Sequence, residues 1–559
     1  MVNLVLKVFN VLGRFLPLVG VDREQFMAIL RIKLTLDERR PISGVQTQHA
    51  GKANKSFLLT LFIFAIFGLL FGVLLFLVDS PLTAMTFVFT FTMTMVSLTL
   101  LADFTNVLLD TTDNAVILPR PVDGRTLFAA RVAHIISYLG LLALSLSLCS
   151  LVAGIFAYNV LFPLLYLLML SCALVLVVFG VYVFFFVTMR LVDMERFRDI
   201  ILYIQIFMTV AIFGGYQLFP RMMDMRNLRD LAIDDRWWIY IFPPAWMAAP
   251  FDLLMGHAGR PQLILTLLAF LVPAVCLVFV IRVLAPDFNT ALARMEADSS
   301  GDGKRRSRRK GGFMLVRRLA KLVARRAEER ASFELIWQIA SRDRPYKLAT
   351  YPMVAFVLIV AGVFLFTEAE GVGETLEKLP MTQKHLFPLY FICAMSPMTI
   401  LHLRYSNQHE AAWIYYALPL ESPGSVLAAG LKVLFMRFMI PMYGVIALAT
   451  LLIWGPRVLP DIAMAFLVLT FFTLFYALTF ARRFPFSEGR TGQQSSALAM
   501  RVFLFMFVVV GLGFLHFGLT FLPFGVPIGL LVMLLLNILL FERYRKTSWW
   551  AMKKALLHD

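Results

Sequence analysis

The chain has 559 residues, 60% of them hydrophobic and only 16% charged, with a net charge of +17. A mean hydropathy of +0.78 excludes a soluble globular protein, because a water-facing shell needs more polar residues than this chain supplies. The four cysteines, Cys149, Cys172, Cys276 and Cys393, all lie in apolar runs and form neither a CxxC pair nor a disulfide framework, so they read as small core residues.

The first segment, "MVNLVLKVFNVLGRFLPLVG", carries Asn3, Lys7, Asn10 and Arg14 on one stripe of an otherwise apolar helix. No small-residue cleavage site follows, so the pattern predicts a helix lying in the membrane surface rather than a cleaved leader. The next stretch, "REQFMAILRIKLTLDERR", is amphipathic as well. Apolar runs long enough to cross a bilayer as helices then fall near 57–78, 84–104, 132–155, 160–188, 200–219 and 262–283. A second set falls near 349–367, 385–403, 431–454, 459–480, 500–520 and 525–541. Alternating short strands are absent, so helices rather than a barrel are expected to satisfy the backbone.

Twelve crossings sort the basic residues by side. Arg221, Arg226, Arg229, Arg236, Arg260, Lys378, Lys384 and Arg457 fall on one side, and the other 44 of the 52 lysines and arginines fall on the opposite side. The positive-inside rule then predicts cytoplasmic N- and C-termini. The run "GKRRSRRKGG", Gly303 to Gly312, belongs to that inner side and is read as a contact with anionic lipid headgroups, not with nucleic acid. It sits in a basic linker, 285–332, that continues into the amphipathic "FMLVRRLAKLVARRAEER" and separates a first half, 1–284, from a second, 333–559.

Each half repeats one polar phrase after its second crossing. In "ILPRPVDGRTLFAARV", Leu118, Pro119, Gly124, Leu127 and Ala129 align without a gap with Leu418, Pro419, Gly424, Leu427 and Ala429 of "ALPLESPGSVLAAGLK". Asp110 and Glu410 stand at the same offset before the two prolines. Proline fixes the chain direction and glycine permits a tight turn, so each phrase is predicted to be a short, rigid element at the inner face. The chain therefore reads as a tandem duplication.

Two halves, each with a surface helix, two crossings, an inner "LP…G…L.A" turn and four more crossings, resemble the permease subunits of ABC-2-type exporters (type V ABC transporters). The resemblance implies an all-α polytopic fold of twelve transmembrane helices in two six-helix halves with interfacial helices. It implies a bacterial inner-membrane exporter whose turns near 110–128 and 410–428 are coupling segments docking on ATP-binding cassette ATPase subunits, two copies per chain. It also implies a re-entrant outer element between the fifth and sixth crossings. Arg221 to Gln262 fits that element, with Trp237, Trp238, Tyr240 and Trp246 as interfacial anchors and Pro243-Pro244 as a helix break, whereas the second half has only "FLPFGVP" at the same place.

No GxxxxGK[ST] pattern occurs; Gly303-Lys304 lacks the leading glycine and is followed by arginine. ATP and Mg are thus expected on the partner subunit, with no cofactor or metal on this chain and no catalysis by it. The resemblance places the cargo path along the second and fifth helices of each half. The candidates there are Thr86, Thr90, Thr94 and Ser97, which share a helix face; Gln205, Thr209 and Gln217; Met395, Ser396 and Met398, near a kink expected at Pro397; and His516, the most deeply placed ionisable residue. Threonines on a membrane helix also serve close packing, and that reading stands beside the cargo reading.

Two other classes remain open. A proton-coupled secondary transporter also has twelve helices in two halves, but needs buried ionisable pairs in which this sequence is poor, and the GxxxDRxGRR pattern is missing. A membrane prenyltransferase could use Asp110 with Asp113, or Asp193 with Asp199, to hold Mg²⁺ and a diphosphate, though the first pair is spaced three apart instead of four.

Overall fold

The computed structural model describes residues 6–7, 9–10, 21–39, 53–107, 124–192, 194–222, 233, 236–257, 259–279, 310–365, 379–480, 482–489 and 496–558. Among these, all regular structure is helical apart from one isolated bridge between Tyr405 and Glu488. The helices are α1 (Arg23–Arg39), α2 (Ala53–Leu77), α3 (Pro81–Val107), α4 (Gly124–Ala157), α5 (Phe162–Leu191), α6 (Met194–Met222), α7 (Pro243–Leu254), α8 (Arg260–Phe279), α9 (Lys310–Val323) and α10 (Ala327–Arg342). They continue as α11 (Arg344–Leu365), α12 (Leu386–Phe391), α13 (Ser396–Arg404), α14 (Trp413–Ala417), α15 (Gly424–Leu434), α16 (Ile440–Trp454), α17 (Leu459–Phe480), α18 (Ser496–Leu519), α19 (Gly525–Arg545) and α20 (Trp549–His558).

Nine spans among the described residues are long and apolar enough to cross a membrane. The chain is therefore an all-α, multi-pass membrane protein. The other three predicted crossings coincide with helices whose described apolar stretches are shorter, Leu61–Leu77, Asp199–Ile212 and Leu504–Leu519. Helix starts follow local chemistry. Asp22 Oδ1 accepts from the backbone N–H groups of Glu24 and Gln25 at 2.9 and 3.2 Å, capping α1. Ser80 caps α3 through Thr83 N–H, with Pro81 at the first helical position, and Asp343 caps α11 through Tyr346 N–H at 2.8 Å. The expected break at Pro243-Pro244 is a start instead: both prolines stand in the first turn of α7, where a missing N–H costs nothing.

The chain divides into two compact units, residues 1–205 with 223–305, and residues 206–222 with 306–559. In the first, α1 lays Phe26, Leu30 and Leu34 on Ala130 and Ala133 of α4, and the hydroxyl of Thr126 accepts from the Asp22 N–H at 3.1 Å. Gly68 and Gly72 of α2 press directly on the backbone of α4 at Leu146 and Cys149, and Ser145 donates across the same seam to the Leu61 carbonyl. Lipid offers no hydrophobic drive for helix pairing, so small residues that let backbones touch supply the contact through dispersion and hydrogen bonding. Helix α7 closes this unit, with Phe251 against Phe89, Phe162 and Tyr166.

In the second unit α10 leads into α11 and packs on α15, where Lys432 Nζ meets the buried Glu329 carboxylate at 2.5 Å. The eighth predicted crossing is two helices, α12 and α13, joined by a 3-10 turn at Ile392–Met395, with Pro397 in the first turn of α13. The ninth contains a π turn at Phe435–Met439 between α15 and α16. A positive-φ Gly455 (φ 77°) ends α16, and Phe524 (φ 61°) turns the chain into α19.

Candidate functional site

The most developed polar constellation lies at one end of the second unit. Asp461 stands in the first turn of α17, His385 immediately precedes α12, and His516 lies in the last turn of α18. His385 Nε2 is 3.0 Å from Asp461 Oδ2, and His516 Nε2 is 3.2 Å from Asp461 Oδ1. Tyr390 OH is 3.0 Å from His516 Nδ1. One carboxylate thus meets both imidazoles, and a neutral His516 that donates from Nε2 to Asp461 accepts the Tyr390 hydroxyl proton at Nδ1. His516 is fully buried and His385 is 5% exposed, while the Asp461 side chain between them is 16% exposed. His385 packs its ring near Trp454, while its Nδ1 has no hydrogen-bond partner among the described residues. A largely buried polar chain of this kind can tie helix ends together or conduct a proton along its length.

His516 was legible in the sequence as a deep ionisable residue; Asp461, His385 and Tyr390 were not. A signal existed. Each of the three ionisable partners lies near the end of an apolar run.

The remaining expected pathway residues are dispersed. Thr86, Thr90 and Thr94 do share a face, and each donates to the carbonyl four residues back at 2.6 Å, so their hydrogens are committed to their own helix. Ser97 is half-buried on the same helix. Gln205 is buried and donates to the Leu101 carbonyl at 2.8 Å, a tie between α6 and α3; Thr209 is half-buried, and Gln217 lies on α6. Met395 and Ser396 are buried, the Ser396 hydroxyl donating to the Cys393 carbonyl at 2.9 Å, and Met398 packs on the core of the second unit. A cavity of about 360 Å³ opens elsewhere in that unit, between Leu431, Phe435, Met436, Leu474, Asn537 and Phe541, and none of the expected pathway residues lines it.

Of the two repeated phrases, Asp110, Leu118 and Pro119 lie outside the described residues, Gly124 begins α4, and Leu127 is buried. The second phrase is complete. Its front, Glu410, Leu418 and Pro419, is exposed, and its back, Gly424 and Leu427, is buried. A 3-10 turn at His409–Ala412 runs into α14, making a short knob between α13 and α15. Ala412 and Tyr415 anchor it, with Tyr415 stacked on Phe484 at 4.9 Å and burial pushing its phenol above the usual tyrosine range. Behind it, Arg404 holds Glu488 through two contacts of 3.0 and 3.1 Å, and Arg483 adds a third at 3.2 Å. Gly424 sits against the Arg545 carbonyl so closely that a side chain there has no room.

Among the described residues no group of three or more His, Cys, Asp or Glu side chains is arranged to hold a metal ion. No protein-family model, no curated protein and no solved structure matches the chain. The class that the fold itself defines is an all-α polytopic membrane protein.

Proposed function

We propose that the chain is the permease subunit of an ATP-driven exporter of the ABC-2 type, in which twelve crossings form two six-helix halves in a bacterial inner membrane with both termini cytoplasmic. A hydrophobic or amphipathic substrate passes between the halves. Two separate ATP-binding cassette subunits supply ATP hydrolysis and Mg, engaging the segments at 110–128 and 410–428. The observation that carries this reading is the repeated "LP…G…L.A" phrase, whose second copy follows a short, exposed knob at 409–417, leaves Leu418 and Pro419 exposed and buries Gly424 and Leu427 at the start of α15. Such an element can pass a displacement of a docked subunit to the helices on either side of it. The test is reconstitution. The chain purified with the ATPase that accompanies it should move an amphipathic substrate in proteoliposomes when ATP is present, and a Walker-A lysine substitution in that ATPase should abolish the movement. Transport that ignores ATP removes the reading.

A second reading, a proton-coupled transporter, is favoured by one observation, the Tyr390–His516–Asp461–His385 chain. It brings two buried histidines onto one carboxylate, the kind of ionisable pairing such a transporter needs. The same proteoliposomes separate the two: transport driven by an imposed pH gradient without ATP selects the second reading.

A further inference from the structure

Helix α11 turns one face toward the π turn between α15 and α16. Phe438 of that turn packs on both Tyr346 and Tyr351, with ring centroids 5.9 Å apart in each case. On the α11 wheel Lys347 falls between those two tyrosines, so its stem enters the same contact. Lys347 is only 9% exposed, and among the described residues its ammonium has neither a hydrogen bond nor an ion pair. Asp343 stands one turn earlier, but its carboxylate serves the Tyr346 N–H and the Ser406 hydroxyl, each at 2.8 Å.

Arg437 reaches the same place from inside the π turn. Its guanidinium donates to Ser341 Oγ at 2.5 Å, to the Trp337 carbonyl at 3.4 Å and to Tyr351 OH at 3.2 Å, and it lies 5.5 Å from the centre of the Trp337 ring. Every one of these partners is neutral. Two cations therefore meet at one contact, and neither is bonded to a carboxylate among the described residues. Both belong to spans long and apolar enough to cross a membrane, Arg344–Phe364 and Gly424–Trp454. Cations in such surroundings are costly without a counter-charge, and π turns in α-helices often mark functional sites.

The donors on offer select the counter-charge. A guanidinium fork beside an ammonium matches the oxygens of a phosphate group. Trp337 and Tyr351 are the kinds of side chain that settle at headgroup depth, where lipid phosphate is the abundant anion. We propose that Lys347 and Arg437, with Trp337, Ser341 and Tyr351 around them, bind the phosphate of an anionic membrane lipid. The proposal holds under either transport reading.

The experiment reconstitutes the full chain in nanodiscs of phosphatidylcholine alone or mixed equally with phosphatidylglycerol, and native mass spectrometry counts the lipids retained after release. Wild type should retain phosphatidylglycerol in preference to phosphatidylcholine. Lys347→Met, which leaves the Arg437 bonds in place, should weaken that preference by roughly tenfold, the loss of one charge-assisted contact. Lys347→Arg keeps the charge and should keep the lipid. Lys321→Met makes the same charge change at an exposed position of α9 and should behave as wild type. Phosphatidylglycerol should also raise the thermal midpoint of wild type more than that of Lys347→Met. A wild type without lipid preference overturns the proposal, as does a Lys321→Met effect as large as that of Lys347→Met. Lys347→Met more stable than wild type in both lipid mixtures overturns it too, since the lysine is then merely unpaired. Inorganic phosphate in lipid-free detergent that stabilises wild type as much as phosphatidylglycerol does, and not Lys347→Met, overturns the lipid assignment in favour of a free anion.

Discussion

His516 Nε2 and Asp461 Oδ1 stand 3.2 Å apart although 55 residues separate them in the chain. The second oxygen of the same carboxylate serves His385, so Asp461 holds together the approaches to α12, α17 and α18. Replacing it with alanine leaves two buried imidazole N–H groups without an acceptor, each costing about 1–3 kcal/mol. We expect Asp461→Ala to lower the thermal midpoint in nanodiscs clearly, and Asp461→Ala with His516→Leu to cost less than the sum of the two single changes. Strict additivity in that cycle would mean that the pair does not interact in the folded protein.

Gly424 and Gly444 make a matched pair. A Cβ at Gly424 collides with the Arg545 carbonyl, a backbone atom that cannot step aside, whereas nothing lies within 4 Å of a Cβ at Gly444. Gly424→Ala should destabilise by about 1–3 kcal/mol, the usual cost of overpacking. Gly444→Ala, in the interior of α16, should stabilise by about 0.5–1 kcal/mol through helix propensity. Denaturant titration in detergent reads both; equal effects at the two sites would show that α15 does not rest on the C-terminal segment. A bulky residue at Gly424 therefore probes packing before it probes coupling.

Half-buried Lys432 meets the buried Glu329 carboxylate at 2.5 Å and also donates to the Val323 carbonyl at 2.7 Å. Lys432→Met strands a carboxylate that is 4% exposed and should cost about 3–5 kcal/mol. Adding Glu329→Leu should return most of that loss, because it removes the stranded charge. A double variant no more stable than Lys432→Met alone would contradict the burial of Glu329.

Thr90→Val and Thr94→Val remove hydroxyls that bond only their own helix backbone. Each change should shift stability by less than about 1 kcal/mol and leave transport rates within twofold. A tenfold fall in transport at unchanged stability would give this face a role in the cargo path.

Much of this molecule could be read before it was seen. Asp22, Ser80 and Asp343 start helices with side chains that reach only two or three residues ahead, a local signal that the reading of apolar runs passed over. The apolar windows name helices because a chain without water must satisfy each backbone group within its own segment. The π turn at Phe435–Met439 escaped that reading, since an apolar run looks the same whichever helical register it adopts, whereas the interruption at Ile392–Met395 falls just before Pro397, where a kink was expected. His516 alone was visible as a buried histidine, and its meaning depended on partners 55 and 126 residues away.

Sequence by itself determined that this is a chain rich in apolar, membrane-length helices and which segments form them. Those properties are local sums of hydrophobicity and charge. Tertiary structure alone decided that Asp461 would meet two histidines, that Gly424 would lie on the Arg545 carbonyl, and that Trp549 would join the knob at Tyr416. Each of those contacts depends on how whole helices rotate and slide against one another, and no short-range pattern along the chain encodes that.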